Sequence, residues 1–147
     1  MANFDELNTQ NDELTELSNV LLYLFQDRAM CDTGTACTLF YNFMDKFSEH
    51  MGSVDHLYKG LLSDKEQKVN NTARLFMSGE QELRRIITQY TKKWCKKSRH
   101  ELNVADHERF TKDTEELFGM VLSRIQDETE HLYPLVREVG GNSRTAT

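Results

Sequence analysis

Three ionisable residues stand where the pattern calls for apolar ones. His50, Glu80 and Glu128 each sit at steps of three or four from large apolar neighbours: Phe47–His50–Val54, Phe76–Glu80–Leu83 and Ile125–Glu128–Leu132. That spacing puts all members of a set on one face of a helix, the face turned inward. A buried carboxylate is costly unless it is protonated, paired with a cation or bound to a metal. Two chemistries meet the requirement. In one, imidazole and carboxylates from facing helices hold iron or manganese. In the other, His50 and Glu128 pair with each other and no metal is needed. His56 and His131 stand about 100° off the inward stripes, at the boundary, as further candidate ligands. They belong to an internal echo, Asp55-His56-Leu57-Tyr58 and Glu130-His131-Leu132-Tyr133.

Four helical segments are predicted to position these groups. The first, about 11–30, carries Leu14, Leu17, Leu21 and Leu24, and its stripe extends back to Asn11. Each of the four segments thus offers one polar group to the interior. The turn Asp32-Thr33-Gly34-Thr35 separates it from the second, about 36–61, with Phe40, Phe43, Phe47, His50, Val54, Leu57 and Leu61. The third, about 64–97, opens on Ser63-Asp64-Lys65-Glu66, which reads as a capping box. Its stripe is Val69, Ala73, Phe76, Glu80, Leu83, Ile87, Tyr90 and Trp94, and the last of these is expected at least half buried. The fourth, about 106–138, starts at an Asp106 cap and carries Phe110, Thr114, Leu117, Val121, Ile125, Glu128, Leu132 and Leu135. Pro134 should bend or fray its last turns. Gly140-Gly141 should end it, leaving 139–147 as a flexible tail. Long helices with short connections favour an all-α, antiparallel up-down-up-down four-helix bundle filling 1–147 as a single domain.

Composition agrees. Charged residues make up 29% and hydrophobic ones 38%, with a single proline and seven glycines in 147 residues. That is the balance of amphipathic helices. A net charge of −6 opposes binding to nucleic acid or an anionic membrane, both of which demand a positive field. The basic run Lys92 to Arg99 reads as a solvated helix end, where cations complement the dipole. Cys31, Cys37 and Cys95 are odd in number and lack CxxC spacing. With no secretory leader evident, they suggest free thiols in a reducing cytoplasm. No apolar run is long enough to cross a bilayer. No Ser-His-Asp order, phosphate loop or HExxH motif occurs, and His100 and His107 read as exposed loop residues; an enzyme is not expected.

The stretch Arg124-Ile125-Gln126-Asp127-Glu128-Thr129-Glu130-His131-Leu132-Tyr133-Pro134-Leu135 resembles the last helix of hemerythrin-like (HHE cation-binding) domains, and Asp55-His56-Leu57-Tyr58 resembles their earlier helix. The resemblance covers about residues 10 to 138. It implies a hemerythrin-like bundle, non-haem iron, and sensing or storage of oxygen, nitric oxide or iron. The implied ligand set is incomplete. No histidine precedes His50, Glu80 is the best substitute in the third segment, and Asp55 flanks the position where a carboxylate follows His50. Arg124 replaces a ligand histidine four residues before Glu128. Arginine cannot coordinate a metal, yet on a helix it lies over Glu128 and can neutralise it. Arg124, Glu128 and His50 are therefore expected to form a core polar cluster. The expected function is a cytoplasmic sensor, regulatory or metal-binding protein with a degenerate site, holding iron or none. The alternative is a metal-free bundle that regulates by binding a protein partner, since Leu122 to Leu132 also resembles a run in anti-sigma regulators of transcription.

Overall fold

The computed structural model describes residues 4–31, 33–96 and 101–145. These form α1 (Phe4–Phe25), α2 (Arg28–Cys31), α3 (Gly34–Leu62), α4 (Gln67–Trp94), the strands β1 (Cys95–Lys96) and β2 (Glu101–Leu102), α5 (His107–Asp127) and α6 (Tyr133–Thr145). A π-helical turn, Glu128–Leu132, joins α5 to α6. The fold is all-α apart from the short antiparallel ribbon. Asp32, Lys97 to His100, Met1 to Asn3 and Ala146-Thr147 lie outside the described residues.

Helix α1 packs against α3 and α5, and α4 packs against the same two. The inward stripes bury nearly as the spacing requires: all seven stripe residues of α3 and seven of the eight in the last segment are buried. In α1 the buried face is instead Leu7, Asn11, Leu14, Ser18, Leu21 and Phe25, with Leu17 and Leu24 at its edge. Trp94 is buried at 4% exposure, edge-on to Phe110, with its Nε1 donating to Asp113 Oδ2 at 3.1 Å.

The core is split in two. A larger cluster contains Leu14, Phe47, Leu83 and Ile125; a smaller one contains Leu7, Val54, Ala73 and Leu132. Between these levels α1, α3 and α4 and the turn that follows α5 each supply one buried polar residue: Asn11, His50, Glu80 and Glu128. Passing from the smaller cluster to the larger, the residue numbers rise in α1 and α4 and fall in α3 and α5.

Several boundaries differ from the sequence expectation. Helix α1 starts at Phe4 and stops at Phe25, with α2 as a separate turn. Ser63 caps the end of α3, bonding Gly60 O, while Glu66 makes no side-chain cap; the capping box does not form because Asp64 Oδ1 accepts from Glu66 N. Helix α4 ends at Trp94, where the chain turns into the ribbon. Asp106 does cap α5, accepting from Arg109 N. Pro134 neither frays nor stops the helix. Lacking an N–H, it cannot make the usual bond one turn back. The chain widens just before it, with Tyr133 N–H reaching Glu128 O five residues back, and helix resumes to Thr145, through Gly140-Gly141.

Candidate functional site

The polar layer holds three adjoining hydrogen-bonded groups, centred on Glu128, Glu80 and Asn11. His50 sits on the inward face of α3, 1% exposed. Its Nε2 lies 2.8 Å from Glu128 Oε1 and its Nδ1 2.9 Å from Gln10 Oε1 on α1. Both ring nitrogens face oxygens, so the ring is fixed between α1 and Glu128 from both sides. The other oxygen of Glu128, Oε2, accepts from Arg124 Nε at 3.2 Å. Glu128 is 3% exposed and opens the π-helical turn, a register shift that recurs at functional positions in helices.

Arg124 is held from three further sides. Its Nη2 donates to the Tyr58 hydroxyl, and its guanidinium lies 5.3 Å from the centre of the Phe76 ring. Gly79 on α4 faces it: a β-carbon there would stand 3.0 Å from Arg124 Nη1. The helix can pass the guanidinium this closely because position 79 has no side chain.

Glu80 lies at the same level, its carboxylate bonded by Arg84 at 3.0 Å; Arg84 also reaches Asp55 at 3.5 Å. Burial, reinforced by a hydrogen bond with the Asp55 carboxyl, pushes the Glu80 carboxyl above its ordinary range. The layer closes at α1, where Asn11 Nδ2 donates to the Tyr133 hydroxyl at 3.2 Å. Asn11 Oδ1 is buried and has no partner among the described residues. Burial, then the nearby Glu128, raises the Tyr133 hydroxyl to about 12; burial first also raises that of Tyr58, so both keep their protons.

The structure therefore brings together His50, Glu128 and Arg124, with Glu80 and Asp55 in an adjoining pair. It leaves His56 and His131 exposed; His131 Nε2 lies 3.9 Å from the neighbouring Glu130. His107 is a correction. It is not a free loop residue but half-buried, with Nε2 2.8 Å from Phe25 O, tying the start of α5 to the end of α1. Tyr58, Tyr133, Gln10 and Gly79 are members that the spacing argument missed. The echo held the signal for the first two: Leu57-Tyr58 and Leu132-Tyr133 all bury in the smaller cluster, and each tyrosine hydroxyl turns to the polar layer.

The donor set does not fit a pair of irons. Both Glu128 oxygens are engaged, one by His50 and one by Arg124, a guanidinium stands in the site, and His50 is the histidine at this level. Among the described residues no group of three or more His, Cys, Asp or Glu is placed to hold a metal ion. Among the described residues no helix is long and apolar enough to cross a membrane. No protein-family model, curated protein or solved structure matches this chain.

Proposed function

We propose that this chain is a metal-free regulatory protein that acts by binding another protein, built on an up-down-up-down four-helix bundle of the hemerythrin kind. The alternating direction in which α1, α3, α4 and α5 cross the polar layer supports that topology. One observation carries the functional reading: Glu128 is clamped between His50 at 2.8 Å and Arg124 at 3.2 Å. The charges that a metal would neutralise in an iron-binding relative are here neutralised by side chains. An interior closed by its own ion pairs has no open coordination position for oxygen or nitric oxide, which leaves the surface to carry the activity. The competing reading, a degenerate iron site using His50, Glu128, Glu80 and Asp55, draws support from the Glu80–Asp55 carboxyl pair.

Loading with ferrous iron under anaerobic conditions, followed by desalting and metal analysis, separates the two. We expect substoichiometric iron for the wild type, no gain for Arg124→His, and loss of stability in that variant. Stoichiometric iron in the wild type would overturn the metal-free reading.

A further inference from the structure

The seam between α4 and α5 is an open groove, and its chemistry selects an occupant. Two adjoining concavities, of about 530 and 240 Å³, share Ile86, Glu116 and Met120. On α4 the face Leu75, Gly79, Glu82, Ile86, Gln89, Lys93 repeats at steps of four and three. On α5 the facing set is Asp113, Glu116, Met120, Ser123, Asp127. From Gly79 to Lys93 the seam runs about 21 Å, roughly four helical turns. Its floor is apolar, with Leu83, Ile86 and Leu117. Met120 is 40% exposed, and Leu75, one turn beyond the groove, is 74% exposed. Gly119 opens it further: a β-carbon there would meet nothing within 4 Å.

The rim is acidic. Glu82 is paired with Arg85 and Asp113 with Lys93, while Glu116 and Asp127 have no ion-pair partner among the described residues. Arg124, which also lines the groove, is already neutralised by Glu128. A narrow apolar trough flanked by unpaired carboxylates complements one kind of ligand, an amphipathic helix with a slim apolar stripe between lysines or arginines.

We propose that the α4–α5 groove docks a basic amphipathic helix of a partner protein. This rests on the protein-binding function proposed above and specifies its surface and the chemistry of its partner. The probe is a fluorescein-labelled helical peptide of Lys, Leu and Ala, followed by anisotropy against the folded full chain. Its counterpart has Glu in place of Lys. The Lys peptide should bind, and binding should weaken with salt. Affinity should fall at least about tenfold in Glu116→Lys/Asp127→Lys, which reverses the rim, and in Gly119→Phe, which fills the trough. Circular dichroism checks that both variants keep their helix. Absence of binding, binding to both variants as tight as to the wild type, or equal binding of the Glu peptide would overturn the proposal. So would a concentration-dependent dimer in sedimentation that Gly119→Phe abolishes, because the occupant would then be a second copy of this chain. A photo-crosslinking residue placed in cells at Ser123 or, on α1, at Tyr23 separates the two levels of inference. Crosslinks from Ser123 that the Lys peptide suppresses support the groove. Crosslinks from Tyr23 alone would overturn the groove and leave protein binding standing, and none from either would overturn both.

Discussion

Replacing Arg124 with leucine removes one cation from a network in which His50, Glu128 and Tyr58 stay buried. Glu128, 3% exposed, would keep the bond from His50 but lose the one to Oε2. Tyr58, 2% exposed, would lose the donor to its hydroxyl oxygen. Breaking a buried ion pair from one side typically costs about 3–5 kcal/mol. The Arg124 side chain is 12% exposed, so water can relieve part of the loss, which argues for the lower end, about 3 kcal/mol. With a urea m-value of about 2 kcal/mol/M, the midpoint should fall by about 1.5 M. The partner variant distinguishes an ion-pair effect from lost packing. Glu128→Gln in the Arg124→Leu background removes the stranded charge while keeping an oxygen for His50, so the double variant should be more stable than Arg124→Leu alone. Urea unfolding followed by circular dichroism measures all three proteins. A loss below about 1 kcal/mol for Arg124→Leu, or a double variant no better than the single, would show that the clamp on Glu128 does not govern this core.

Trp94→Ala should cost about 3–5 kcal/mol, and Trp94→Phe clearly less, because phenylalanine can keep the packing on Phe110 and forfeits only the bond to Asp113; chemical denaturation reads both, and a loss under about 1 kcal/mol for alanine would contradict the burial. The Glu80 carboxyl is raised by burial and by Asp55, so the native state holds this proton more tightly than the unfolded chain. Its contribution is then fully present below the ordinary value of 4.5 and is lost as pH rises through the raised one. Glu80→Gln should flatten that part of the stability profile, and urea midpoints with an unchanged pH slope would refute the assignment. Alanine at Gly119, where space is open, should gain about 1 kcal/mol of helix propensity, whereas alanine at Gly79 should gain less or lose, since its β-carbon meets Arg124 at 3.0 Å; equal thermal shifts would mean that Arg124 yields freely.

Periodicity alone was enough to place the long helices and most of their inward residues. Steps of three and four map one face onto the interior whatever the neighbours are, so Phe40 to Leu61 and Phe110 to Leu132 could be read directly, as could the polar exceptions His50, Glu80 and Glu128. Helix ends were less legible, because they turn on competing local bonds. Asp64 captured the amide that the capping box at Ser63 required, and Pro134 was absorbed by a change of register instead of a break. Which groups the polar residues meet was decided by tertiary structure. That Glu128 takes one bond from its own helix was foreseeable from the four-residue spacing to Arg124. That the guanidinium also reaches Tyr58, that Gln10 completes His50, and that a glycine on α4 leaves room for Arg124 depends on the rotation and closeness of separate helices. No spacing along one chain segment encodes those quantities, since they arise only when apolar faces from distant segments pack at a single level.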